Sequence, residues 1–150
     1  MYKKMLVPLD TSEFAECVFN HVKEIATARE IPEVVLLTVV EPPSPSTYVY
    51  MGDQRAKEAE ERAIQGSFEY LEKTRDSLGL TKSKITTAVL VGLAPEMILE
   101  YIEKNGVDLV VMSSHGRGGV SRWFIGSAAD RVLRSSPVPV VLVPSPACRG

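Results

Sequence analysis

Two runs, Val34-Val35-Leu36-Leu37-Thr38-Val39-Val40 and Leu109-Val110-Val111-Met112, constrain the fold more than any other feature of this chain. Neither alternates apolar with polar residues, and both are rich in β-branched side chains. That is the pattern of strands buried on two faces, which belong to parallel sheets with helices above and below. Met5-Leu6-Val7-Pro8-Leu9 reads as a buried first strand ending at Asp10. Ile85 to Val91 reads as another strand with threonines interleaved, and Val138 to Val143 as a last strand between prolines.

Between these runs the apolar spacing becomes helical. Ala15, Val18, Phe19, Val22, Ile25 and Ala26 recur at that spacing behind Asp10-Thr11-Ser12-Glu13, a cluster of capping residues, and Ile31-Pro32 breaks the pattern. Asp53 to Leu78 is a long charged helix whose thin stripe of Ala56, Ala59, Ala63, Ile64, Phe68 and Leu71 ends at Gly79. Ala94-Pro95-Glu96 opens a third helix with proline at its first position, and Asn105-Gly106 stops it. Ser127 to Arg134 is the fourth. Glu41 to Met51, which holds Pro42, Pro43 and Pro45, reads as an irregular surface loop. Strand and helix alternate, so the economical α/β architecture is one open parallel sheet with two helices on each face. With 150 residues and 45% hydrophobic content, residues 1–150 are expected to form one domain.

A formal net charge of −2 leaves no basic surplus for a phosphate backbone, so nucleic acid is not an expected partner. Cys17 and Cys148 have no paired spacing, and no Cys/His cluster has zinc-ligand spacing. Cys17 reads as a small buried hydrophobe and Cys148 as a tail thiol, which fits a reducing cytosol. Lys3-Lys4 leads into an apolar strand too short for a signal-peptide core, and no run approaches the ~20 apolar residues of a membrane span. A cytoplasmic protein without membrane association is expected.

Chemistry concentrates between Leu109 and Ser127. The apolar strand runs into Ser113-Ser114-His115-Gly116-Arg117-Gly118-Gly119, and a helix opens near Gly126-Ser127. A strand that delivers a glycine-rich loop to a helix N-terminus makes an anion site, because free N–H groups and the helix dipole converge there. A Walker A loop is excluded, since the chain has no Gly-Lys dipeptide. The dinucleotide pattern fails at Ser121, where its third glycine belongs. What remains is Gly116, nine intervening residues, then Gly126-Ser127.

Each residue also has a purely structural reading. Asp10 has the chemistry of a helix N-cap, and Ser127-Ala128-Ala129-Asp130 fits a capping box. Arg117 and Arg122 are read as solvated loop charges, and Trp123-Phe124-Ile125 as a small packed cluster. His115 and His21 lack a partner acid or nucleophile in the sequence, so neither is given a catalytic role.

With Pro8-Leu9-Asp10 ending strand one and Met112-Ser113-Ser114-His115-Gly116 ending strand four, nearly the whole chain resembles the nucleotide-binding universal stress proteins. Their pattern is glycine, two residues, glycine, nine residues, then glycine and Ser or Thr; Gly116 and Gly126-Ser127 match, and Ser113 replaces the first glycine. The resemblance implies a Rossmann-like sheet in the order 3-2-1-4-5, whose ligand sits beyond the strand ends where that order reverses. It implies that Asp10 accepts from the ribose hydroxyls and that Pro8, Leu9 and Val39 line the adenine pocket. Met112 and Ser113 would flank the nucleoside, and Gly116, Gly126, Ser127 and Ala128 would hold the phosphates of ATP, with Mg²⁺. It further implies a homodimer through the C-terminal strand. The expected function is an ATP-binding regulatory or sensor protein in a stress response, without dedicated catalysis, because no general base, carboxylate cluster or nucleophile accompanies the loop. Two alternatives stand beside it: a slow ATP-hydrolysing enzyme, and a dimeric scaffold that kept the fold without the ligand.

Overall fold

The computed structural model describes residues 1–12, 16–114 and 125–144. Five parallel strands, β1 (Lys4–Pro8), β2 (Glu33–Val40), β3 (Lys84–Val91), β4 (Leu109–Ser113) and β5 (Val140–Val143), form one sheet in the order β3-β2-β1-β4-β5. Leu6 of β1 lies between Val35 of β2 and Val110 of β4, so the centre of the sheet is built from the runs without polar alternation. Among the described residues the regular helices are α1 (Phe19–Ala28), α2 (Pro45–Met51), α3 (Asp53–Leu78), α4 (Ala94–Lys104) and α5 (Ser127–Ser135).

The period of two along each strand divides the core. Met5, Val7, Leu9, Val34, Leu36, Leu109 and Val111 pack against Val18, Val22 and Ala26 at α1 and Leu71 and Leu78 of α3. Leu6, Val35, Leu37, Val110 and Met112 pack on the other face against Ile98 and Ile102 of α4 and Ala129 and Val132 of α5. Two long helices thus cover each face, as expected. Each fully buried Leu or Val contributes roughly 1.5–3 kcal/mol, so these inner strands are the main source of stability. Thr38 lies on β2 among them with its Oγ1 buried and without a hydrogen-bond partner.

Glu41 to Met51 departs from the sequence reading, because its second half is helical. Ser44 is the N-cap, its hydroxyl accepting from the Thr47 N–H at 3.3 Å, and Pro45 occupies the first turn, where a missing N–H costs nothing. None of the seven residues of α2 is buried, so no apolar period marks it in the sequence. Gly52, with φ of 83°, separates α2 from α3, and Gly79, with φ of 66°, ends α3 in the left-handed cap expected of it. Cys17 also differs: it is half-buried rather than buried. Cys148 lies outside the described residues.

Candidate functional site

In the order β3-β2-β1-β4-β5, the chain fills the sheet on one side of β1 before crossing to the other. The crevice of such a sheet opens beyond the carboxyl ends of β1 and β4. At the end of β1, the Leu9 N–H donates to the Leu37 carbonyl at 2.7 Å, which carries the pairing one residue past the strand. Asp10 then leaves the sheet half-buried, and its Oδ1 accepts from the Ser12 N–H at 3.0 Å and from the Ser12 hydroxyl. This is an Asx turn, and Thr11 inside it has a φ of 67°. Asp10 is therefore not the N-cap of α1, whose regular run starts at Phe19 with Val18 in the cap position and no side-chain cap.

The strand ends sort their side chains by face. Val39 and Met112 belong to the α4/α5 side, and Pro8 shares it by alternation from Leu6. Leu9 does not join them: its side chain is buried with Val7 and Val18 on the opposite face, so what it offers a ligand is its backbone. Ser113, paired with Val143, is likewise turned by alternation toward the α1/α3 side, and it is buried.

Beyond β4, the Ser114 N–H donates to the Val143 carbonyl at 2.9 Å, and the Ser114 carbonyl accepts from the Gly126 N–H at 2.7 Å. These two bonds fasten the opening of α5 to the end of β4. Gly126 is the N-cap, with φ −59° and ψ 151°; Ser127 is the first helical residue and exposed, and Ala128 is half-buried. The capping box read at Ser127 does not form, because the helix opens one residue earlier. The Asp130 N–H instead donates to the Gly126 carbonyl at 2.9 Å, and the Asp130 carboxylate pairs with Arg134 at 3.0 Å. The amides of Ser127, Ala128 and Ala129 are the helix-opening donors that have no intrahelical acceptor. Gly116 lies outside the described residues, as do His115, Arg117 and Arg122. Of the Trp123-Phe124-Ile125 trio, Ile125 is described, and it is exposed rather than packed.

Two residues that sequence reasoning passed over organise this site. Ser12 holds the Asp10 carboxylate, a role legible in the Asp-x-Ser spacing of an Asx turn. Ser114 pins α5 through its carbonyl, for which the sequence carries no signal. On α3, Tyr70 donates its hydroxyl to Glu16 Oε1 at 3.3 Å, and its phenol is held well above the ordinary range by burial first, then by Glu16, with a smaller push from Asp10. The site thus sets a carboxylate at the end of β1 against the positive end of α5 beyond β4. Hydroxyls at one end and an anion at the other are what that arrangement can receive. Among the described residues, no group of three or more His, Cys, Asp or Glu is placed to hold a metal ion, and no helix is long and apolar enough to cross a membrane.

The model of the Universal stress protein family matches residues 1–144. The chain belongs to the universal stress protein family. Among its relatives, Universal stress protein MJ0577 of Methanocaldococcus jannaschii is 29% identical over 160 residues, covering 95% of each chain. The solved structure of that protein superposes with a TM-score of 0.74 at 31% identity, covering 95% of this chain and 96% of that one. The universal stress protein UspA from Lactobacillus plantarum, 20% identical, has a TM-score of 0.82 and covers 95% of this chain and 97% of its own. Some structures of this fold hold nucleotides. One from Arabidopsis thaliana has AMP bound (15% identity, TM-score 0.63, 94% of this chain and 90% of that one). One from Archaeoglobus fulgidus is in complex with dAMP (20% identity, TM-score 0.53, 94% and 97%). Another universal stress protein is in complex with cAMP (19% identity, TM-score 0.59, 96% and 98%).

Proposed function

We propose that this universal stress protein binds an adenine nucleotide, ATP in preference to adenosine, across the carboxyl ends of β1 and β4, and acts as a regulatory or sensor protein rather than a catalyst. The observation that carries the reading is the opening of α5. The backbone of Gly126 is one that any residue adopts, so conformation does not demand glycine there. A close approach by phosphate does, because a side chain would stand before the amides of Ser127 and Ala128. The adenine nucleotides held by related structures support the same ligand class.

In this reading Asp10 accepts from the ribose hydroxyls, and Pro8, Val39 and Met112 form the apolar wall for adenine, with Leu9 contributing main chain. Ser113 flanks the nucleoside, and its turn toward the α1/α3 side keeps its side chain out of the phosphate path. Gly116, Gly126, Ser127 and Ala128 hold the phosphates. Mg²⁺ would come with the triphosphate, as a metal that keeps most of its waters and is held through phosphate oxygens. The β5 edge not paired with β4 presents backbone donors and acceptors along Val140–Val143, and pairing with a second copy would satisfy them.

Nucleotide retained through purification, released by denaturation and measured by absorbance and chromatography, tests the reading. Adenine nucleotide near one per chain supports it. Protein that is empty and takes up none from millimolar ATP supports the scaffold alternative, and turnover with Mg²⁺ supports the enzyme.

A further inference from the structure

The turn after β1 has a feature the sheet does not require. Thr11 sits at φ 67°, a left-handed conformation that β-branched residues rarely adopt. Strained backbone persists where its surroundings over-determine it, and such positions gather at ligand clamps. Its two neighbours are tied to each other across it. Both the N–H and the hydroxyl of Ser12 donate to Oδ1 of Asp10, so one residue grips a single carboxylate oxygen twice. The grip is not the cap of α1, whose regular run begins at Phe19 behind Val18. What it fixes is the direction in which the Asp10 carboxylate leaves the sheet, at the point where the strand order reverses.

We propose that Ser12 is a positioning residue for nucleotide recognition. By clamping Oδ1 it holds the Asp10 carboxylate in the orientation that receives the ribose hydroxyls, and the left-handed Thr11 is the backbone turn that brings Ser12 back over Asp10. Without the hydroxyl, the carboxylate rotates more freely and part of the ligand's binding energy goes into ordering it. The inference rests on the reading of Asp10 as the ribose acceptor, and it adds a residue that itself need not touch the ligand.

The test compares ATP with 2′,3′-dideoxy-ATP, which lacks the hydroxyls that Asp10 would bind, by titration calorimetry on the full chain. Ser12→Ala is expected to weaken ATP binding roughly fivefold, the equivalent of about one hydrogen bond, and to leave dideoxy-ATP within about twofold. Ser12→Thr, which keeps the hydroxyl, restores ATP affinity. Thermal melts of the unliganded variants separate this from general damage, and the retained Ser12 N–H bond should keep the turn formed. A Ser12→Ala protein that melts normally and loses both ligands equally, or neither, overturns the proposal. Asp10→Ala serves as the separate check on the underlying reading. If it erases the preference for ATP over dideoxy-ATP while Ser12→Ala does not reduce it, the clamp is refuted and the ribose reading stands. If Asp10→Ala leaves the preference intact, both fall.

Discussion

Gly126→Val separates a phosphate site from a chain turn. The backbone at Gly126, φ −59° and ψ 151°, lies in the extended region that β-branched residues favour, so valine introduces no backbone strain. Its N–H bond to the Ser114 carbonyl, 2.7 Å long, is a main-chain bond that the substitution keeps, and α5 stays fastened to β4. Valine is a poorer N-cap than glycine, a loss of up to about 1 kcal/mol. Replacing glycine lowers the entropy of the unfolded chain and returns about 0.4–1 kcal/mol, so the two effects nearly cancel. Ligand binding has no such compensation. A branched side chain before the amides of Ser127 and Ala128 removes at least one charge-assisted hydrogen bond to phosphate, about 1.5–3 kcal/mol, or roughly 10- to 150-fold in Kd. Calorimetric titration of wild type and variant with ATP and adenosine, beside a melt of each without ligand, reads both quantities. An unchanged melt with unchanged ATP affinity would refute the placement of the phosphates, and the glycine would then serve the turn alone.

Three further outcomes follow from the described residues. Thr38→Val removes a buried hydroxyl that has no partner and should raise stability in denaturant melts by about 1 kcal/mol; a loss would mean that the hydroxyl is satisfied, for instance by a bound water. The Tyr70 phenol is raised above its unfolded value by burial and Glu16, so the folded state holds its proton more tightly. Its contribution to stability is full below about pH 10 and falls as pH rises toward the higher folded value; Tyr70→Phe should flatten that alkaline decline in urea melts, and an unaltered decline would refute the assignment. Pairing through β5 predicts twice the mass of a 16.5 kDa chain by sedimentation at micromolar concentration, and a monomer there would count against it.

How far the sequence could be read depended on how much apolar surface each element buries. The parallel α/β sheet and the bounds of α3, Asp53–Leu78, are legible because buried strands and a long stripe leave strong periodic signals, whereas the strand order follows from the family resemblance. The seven-residue α2 buries nothing, so three prolines outweighed the local Ser44-Pro45 start signal. The capping chemistry is legible, but the group that each short polar side chain serves is not: Asp10 closes a turn on Ser12, and Asp130 pairs with Arg134 while α5 opens at Gly126. Short polar side chains satisfy whichever amide the backbone brings within reach, and one residue of slip reassigns them. At the site, residue identity at the strand ends was readable, whereas which face each side chain takes was not. Leu9 and Val39 look alike in the sequence, yet they lie on opposite faces of the sheet.

In the proposed function a nucleotide lies across the carboxyl ends of β1 and β4 with its phosphates on the opening of α5. Titrating the wild-type protein with ATP and with adenosine at low and high salt tests it most directly. Saturable binding is expected, with ATP the tighter ligand and a gap between the two that narrows as salt screens the phosphate's attraction to a partly exposed site. Equal affinity for ATP and adenosine at both salts, or no saturable binding of either, would contradict it.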